Sequence, residues 1–166
     1  MIPTLEEKNS YRKKLFSVID HINNVCDAAE KMAERIIDNA GSQEDLDFAR
    51  RLVQRARRHD FSKFEGIEWE SLHRGSDDPL LKTAIHQHQQ TNDHHPQYFI
   101  GGIQQMSDLQ IAEMICDLKA RSAEMGTDLR TYIKDIATKR FDFTVKSKVY
   151  QKIKKFVDLL LDEKFL

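Results

Sequence analysis

Helix breakers, cysteines and long apolar runs are all scarce in this chain. Its 166 residues include three prolines and six glycines, while Ala, Leu, Glu, Lys, Arg and Gln are plentiful, a composition that favours helix. There are two cysteines, Cys26 and Cys116. Neither belongs to a CxxC pair, so a disulfide framework or a cysteine zinc site is not expected; both read as free buried thiols of a reducing compartment. The N-terminal stretch MIPTLEEKNSYRKK has no apolar signal core, and no apolar run approaches about 18 residues. A soluble, cytoplasmic protein without a membrane partner is the expectation. The formal net charge of −1 argues against bulk nucleic-acid binding. Strand-like alternation and internal repeats are also missing, and the length suits one domain with a real core.

What remains is a succession of helices. Thr4 and Glu7 form a capping box that opens a long first helix. In it Leu15, Ile19, Ile22, Cys26, Ala29, Ala33 and Ile36 recur at helical spacing and mark a core-facing stripe. The same stripe would also serve a homodimer. Gly41 ends that helix, and Ser42 caps a second one that runs to the adjacent pair His59-Asp60. Ser62 with Glu65 offers a further capping box, leading toward Trp69. Gly75 to Pro79 predict a loop and a helix start, and LLKTAIHQHQQTN the next main helix. DHHPQYFIGGIQQM reads as a loop broken by Pro96 and Gly101-Gly102. Ser107 with Gln110 caps a central helix that is apolar around most of its circumference. TDLRTYIKDIATK and KSKVYQKIKKFVDLLLDEKF close the chain. The expected fold is an all-α, single-domain bundle over residues 1–166, with a core at about 5–137 and a C-terminal helix at about 146–164.

The ionisable residues then carry the argument. A histidine beside an aspartate points to one spot only where a helix ends or distorts, and a divalent cation is one reason to build such a corner. A loop histidine beside a capping aspartate is the alternative. His21 sits at the rim of the first helix's stripe. Leu81, Ala84, Ile85 and His88 follow helical spacing, so His88 continues an apolar face inward, with Asn92 a turn later and His94-His95 before Pro96. His86 points elsewhere. Asp117 lies among Ile115, Cys116 and Leu118 in a helix too apolar to be on the surface. Burying its charge unpaired costs several kcal/mol, so it needs either the Arg121 of its own face, with Glu113 a turn earlier, or a metal shared with His59 and Asp60.

Taken in order, His21, His59-Asp60 and Asp117 resemble the ligand pattern of the HD superfamily of metal-dependent phosphohydrolases. HDFSKF, HQQTNDHHPQYF and EMICDLKA are closer still to an uncharacterised family of small HD-like bacterial and phage proteins. Leu118 and Tyr98-Phe99 depart from that family's usual Trp and Tyr-Trp. The resemblance covers about residues 15–135, and it implies an HD-type helical bundle. It further implies that His21, His59, Asp60 and Asp117 hold one divalent metal ion (Mn, Mg, Co, Ni, Zn or Fe), that His88 with His94 or His95 binds a second ion or the phosphate, and that Lys63 approaches the substrate phosphate.

The expected activity is hydrolysis of a nucleotide or similar small phosphate ester. Glu65 or Glu113 is expected to position the attacking water, and Asn92, Arg57 or Arg58 to contact the substrate. The wider arginine run, Arg50, Arg51 and Arg55 included, otherwise reads as a solvated face, as do Lys152, Lys154 and Lys155. Phe141, Phe143, Phe156 and Phe165 read as core or docking residues. A di-iron oxygenase using His21, His59, Asp60, His88, His95 and Asp117 is the enzymatic alternative, and a metal-stabilised nucleotide- or protein-binding module the non-enzymatic one.

Overall fold

The three capping boxes of the long helices set the frame. In this computed structural model, which describes residues 2–72 and 77–161, Thr4 and Glu7 close on each other at the start of α1 (Leu5–Asp38). Ser42 pairs with Asp45 in the same way at α2 (Gln43–Ala56), and Ser107 with Gln110 at α5 (Asp108–Met125). Each box satisfies backbone N–H groups that an isolated first turn leaves open. Gly126, at φ 64°, ends α5 in the left-handed region that glycine adopts without strain. Gly75, Ser76, Phe165 and the predicted last turn at 162–164 lie outside the described residues.

Between these helices the chain is more irregular. A 3₁₀ turn (Phe61–Phe64) leads into the short α3 (Gly66–Ser71), followed by α4 (Leu81–Thr91). Two further 3₁₀ turns, Pro96–Tyr98 and Gly102–Gln105, occupy the predicted loop. After α5 come α6 (Leu129–Tyr132), a π-helical turn (Ile133–Ala137), α7 (Thr138–Arg140) and α8 (Lys148–Leu161). The described residues contain no strand.

One hydrophobic core lies where α1, α2, α5 and α8 meet. Val25, Ala29 and Met32 of α1 pack with Leu52 of α2, Ile111 and Ile115 of α5, and Ile153, Phe156 and Leu160 of α8, all buried. Phe48 stacks on Phe156 with ring centroids 5.8 Å apart. Of the predicted stripe, Ile22, Cys26, Ala29 and Ala33 are buried, whereas Leu15, Ile19 and Ile36 are half-buried at its margins. Arg35 is buried where apolar spacing gives no hint of a cation. Its guanidinium donates to the Leu159 carbonyl at 2.5 Å, near the negative end of α8 where a cation is favoured.

The elements α3 and α4 pack on each other and on the Phe61–Phe64 turn, forming a platform beside the core. The predicted Ser62–Glu65 capping box does not form. Asp60 turns the chain in the left-handed conformation (φ 57°, ψ 23°), so Ser62 falls inside the 3₁₀ turn and its hydroxyl donates to Glu68 instead, at 2.8 Å. Glu65 becomes the N-cap of α3 with no side-chain cap bond.

Candidate metal centre

Four elements converge at the seam between core and platform. Helix α1 brings His21; the turn after α2 brings His59 and Asp60; α4 and the turn after it bring His88, His94 and His95; α5 brings Asp117. The left-handed backbone at Asp60 is what lets two consecutive residues face one interior point. His21, His59, Asp60, His88, His94 and Asp117 are all buried, and His95 is half-buried.

The imidazoles share one orientation. Each of three is braced through Nδ1 by a carboxylate: His21 by Glu124 at 2.8 Å, His88 by Glu68 at 2.8 Å, and His59 by Glu113 at 3.2 Å. Their Nε2 atoms then point inward. His21 Nε2 lies 3.2 Å from Asp117 and 3.5 Å from Asp60, and His59 Nε2 lies 3.4 Å from Asp60 and 3.8 Å from Asp117. On the other side, His88 Nε2 and His94 Nε2 each lie 3.4 Å from Asp60 Oδ1. His95 Nε2 faces His88 Nε2 at 2.9 Å. Asp60 thus turns Oδ2 to one group and Oδ1 to the other.

Two sets of donor atoms therefore flank Asp60. His21, His59 and Asp117 form the first; His88, His94 and His95 with Asp60 form the second; His59, His94 and Glu113 make a further possible set. Within each, the donor atoms all lie within 4.8 Å of one another. Nitrogen and oxygen ligands at about 2.0–2.2 Å from a cation sit about 3.0–3.5 Å apart when adjacent, close to the spacings observed. The Nε2 atoms of His21, His59 and His94 and Oδ1 of Asp60 are buried without a hydrogen-bond partner. Orphaned buried polar atoms are costly. Cations at the first and second sets would together satisfy all four, and a carboxylate behind a histidine is the usual support of a metal-ligating imidazole. These residues fit a divalent ion.

The charges follow the two sets. Burial opposes the charged forms throughout, but neighbouring opposite charges overcome it in the first set. Despite that burial, the Asp117 and Asp60 carboxylates hold His21 up at about 9 and lift His59 well above the ordinary histidine value. Asp60 and Asp117, desolvated yet flanked by these imidazoles, are held well below the usual carboxylate range. In the second set burial wins: with the cationic His59 adding to it, His94 is pushed down to about 4, and with His94 adding to it, His95 falls to about 3.

The remaining predicted residues divide. Lys63 Nζ lies 2.5 Å from Asp60 Oδ2 and lines a cleft of about 530 Å³ that opens onto the cluster. Glu113 is buried behind the histidines rather than on that cleft, and Arg55 Nε donates to it at 2.5 Å. Glu65 is exposed and joins no donor set among the described residues; the left-handed turn that dissolves its capping box leaves it on the surface. Asn92 braces His88: its amide donates to the His88 carbonyl and to Ser62 Oγ, both at 2.9 Å. Arg57 is exposed and paired with Glu30, so it does not reach the cleft. Arg58, also exposed, lines a separate hollow of about 310 Å³ behind His59 and His94. The intrahelical Asp117–Arg121 pair is not observed; Arg121 binds Glu124 at 3.0 Å. His86 is exposed, as its helical position predicts.

Sequence reasoning missed three supporting groups. Glu124 stands seven residues after Asp117, two turns along the same face of α5, and that spacing was a usable signal. Glu68 had only its flanking Ile67 and Trp69 to mark it. Arg55, read as part of a solvated face, bridges Glu113 to Asp93, and Gln110 donates to Asp93 at 2.7 Å.

No helix among the described residues is long and apolar enough to cross a membrane. No curated protein and no solved structure matches the chain significantly. A family model does match, over residues 10–163, and by that match the chain belongs to DUF5662, a family of unknown function.

Proposed function

We propose that the protein is a metal-dependent phosphohydrolase of the HD type, acting on a nucleotide or similar small phosphate ester. The observation that carries this is the inward convergence of unpartnered Nε2 atoms around Asp60, with Lys63 beside it at the mouth of the cleft. His21, His59, Asp60 and Asp117 would hold one ion, and His88, His94 and His95, sharing Asp60, a second. So many imidazoles suit Mn, Fe, Co, Ni or Zn better than Mg. When bound, a divalent ion supplies Lewis acidity toward water and toward a phosphoryl oxygen.

The chain's own groups divide the remaining work. Glu124, Glu113 and Glu68 fix the tautomers of His21, His59 and His88, each accepting a hydrogen bond from Nδ1–H so that Nε2 offers a lone pair. Lys63, tethered to Asp60, places an ammonium where negative charge builds on the transferring phosphoryl group. In the overall reaction an oxygen of water bonds to phosphorus, the ester P–O bond breaks, and a proton passes to the leaving oxygen. Leu118, Met114 and Ile85 on the cleft walls exclude bulk water and suit an apolar part of the substrate.

The test is phosphate release from a panel of nucleotides and cyclic dinucleotides, run with each metal in turn. Turnover lost in both His59→Ala and Asp117→Asn, with circular dichroism unchanged, is the expected result; a panel without turnover in any metal ends the proposal. The same donor set, richer in imidazole than a minimal hydrolase needs, also suits a di-iron oxygenase. Iron retained through purification, with an absorbance band that changes on exposure to oxygen, would favour that chemistry instead.

A further inference from the structure

Three strongly basic side chains line the cleft among the described residues: Lys63, Arg121 and Arg140. Two already have a carboxylate partner. Lys63 is held by Asp60 at 2.5 Å and Arg121 by Glu124 at 3.0 Å. Arg140 has no carboxylate partner among the described residues. Its guanidinium lies over the ring of Phe141, 5.3 Å from the centroid, and Nη1 donates to Tyr132 Oη at 3.3 Å. That bond uses a lone pair of the phenol and leaves its O–H free to donate to something else.

The backbone explains how the two side chains meet. Eight residues of unbroken α-helix would set Tyr132 and Arg140 about 80° apart around the axis. The π-helical turn Ile133–Ala137 lies between them. By taking about one extra residue into a turn it reduces the offset to about 20°. Such turns are rare and recur at functional sites. Here the turn aligns a phenol and a guanidinium on one wall of the cleft, both of them hydrogen-bond donors. Lys63 stands on another wall, carried by the turn that follows Asp60.

We propose that Tyr132 and Arg140 form a second phosphate subsite, so that the substrate is a small molecule bearing two phosphate groups, one at the metal cluster and one on this wall. The assignment of the first phosphate rests on the hydrolase proposed above; the Arg140 subsite itself does not depend on turnover. A guanidinium offers a planar fork that matches two phosphate oxygens, which an ammonium does not. The stack on Phe141 holds that fork in place and reduces the freedom it would lose on binding. The cleft volume of about 530 Å³ falls within the range of small-ligand sites.

Binding, rather than turnover, tests this. Affinities of the Mn²⁺-loaded protein are measured by calorimetry for two matched pairs: adenosine 5′-monophosphate against adenosine 3′,5′-bisphosphate, and ribose 5-phosphate against ribose 1,5-bisphosphate. The wild-type protein is expected to prefer the bisphosphate of at least one pair by about tenfold or more, the usual range for a charge-assisted pair. Arg140→Ala should erase most of that preference. Arg140→Lys should keep only part of it, and Tyr132→Phe should reduce it by a smaller factor. Arg140 is exposed, so neither of its variants disturbs the core. No preference in the wild type, or a preference unchanged in Arg140→Ala, overturns the subsite and leaves Arg140 a solvated surface cation. If the preference depends on Arg140 but no phosphate is ever released, the hydrolase fails and the subsite stands. If phosphate is released while Arg140→Ala keeps the preference, the reverse holds.

Discussion

The two sides of the cluster meet at Asp60 yet answer burial in opposite ways. On the α1–α5 side, His21 and His59 face Asp117 and Asp60 and are held in the protonated range. On the α4 side, His88, His94 and His95 crowd together with Asp60 as their one carboxylate within the set, and His94 and His95 are held neutral. The first side needs positive charge and, without a metal, obtains it from protons. On the second, His94 and His95 carry free lone pairs at neutral pH. Metal loading would therefore displace protons from His21 and His59 and none from His94 and His95, although both sides are built from the same residue types.

The largest effect should come from the residue both sides share. Asp60→Asn is expected to lower bound metal on both sides, and to reduce phosphate release by at least about a hundredfold. Asp117→Asn should empty only the α1–α5 side, and His88→Ala only the α4 side. Metal per chain, measured by elemental analysis, decides this; full retention by Asp60→Asn would show that the two sides do not share a ligand.

The pH response of chelator-treated protein sharpens the contrast next. The folded value of His21, about 9, lies above its unfolded value of about 6.5. Its contribution, up to about 3 kcal/mol, is full below pH 6.5 and lost as pH rises through 9. His94 and His95, at about 4 and about 3, lie below 6.5, so theirs is present above pH 6.5 and lost as pH falls toward 4 and 3. Melting temperature should fall on both sides of neutrality in the stripped protein, and the alkaline fall should shrink when metal is restored. A stripped protein equally stable at pH 7 and pH 9.5 would contradict the assignment for His21.

Removing the braces should act on one side at a time. Glu124→Gln is expected to weaken metal binding on the α1–α5 side by about 10- to 100-fold, and Glu68→Gln that on the α4 side by a similar factor, read by competition with a chelator of known affinity. Equal weakening of both ions by either variant would mean that the sides are not separate. The smallest effect belongs to Arg57→Ala. Its partner Glu30 and Arg57 itself are solvent-facing, so stability should change by less than about 0.5 kcal/mol and metal content not at all.

Much of this arrangement was legible before any coordinates. The capping residues Thr4, Ser42 and Ser107 announce their helices because capping is local chemistry, settled within four residues. The convergence of His59, Asp60 and Asp117 was legible for a different reason: a carboxylate inside an apolar helix needs a partner, Arg121 on its own face was one, and the resemblance of His21, His59-Asp60 and Asp117 to a metal-ligand pattern favoured the other, a metal. What stayed hidden depends on contacts across the chain. Glu68 and Glu124 brace histidines 20 and 103 residues away; Glu124 had its spacing from Asp117 to mark it, but no local pattern distinguishes Glu68 from a surface glutamate. Ser62 and Glu65 match a capping box in spelling, but the reversal at Asp60 moves the start of the next helix. The π-helical turn has no spelling at all, since Ile133 to Ala137 would pass as ordinary helix.

That reversal sets two selection pressures against each other at one position. A left-handed backbone suits glycine better than any residue with a Cβ, by about 1 kcal/mol, and in stripped protein the Asp60 carboxylate keeps a buried oxygen unpartnered. In stripped protein Asp60→Gly would relieve both, yet it would also remove the carboxylate that faces His21 and His59 and holds Lys63, so it should not raise heat resistance in the presence of chelator. With metal supplied the loss should be larger by the binding energy of the ion. An aspartate is thus kept there by the charges around it, against the backbone's own preference.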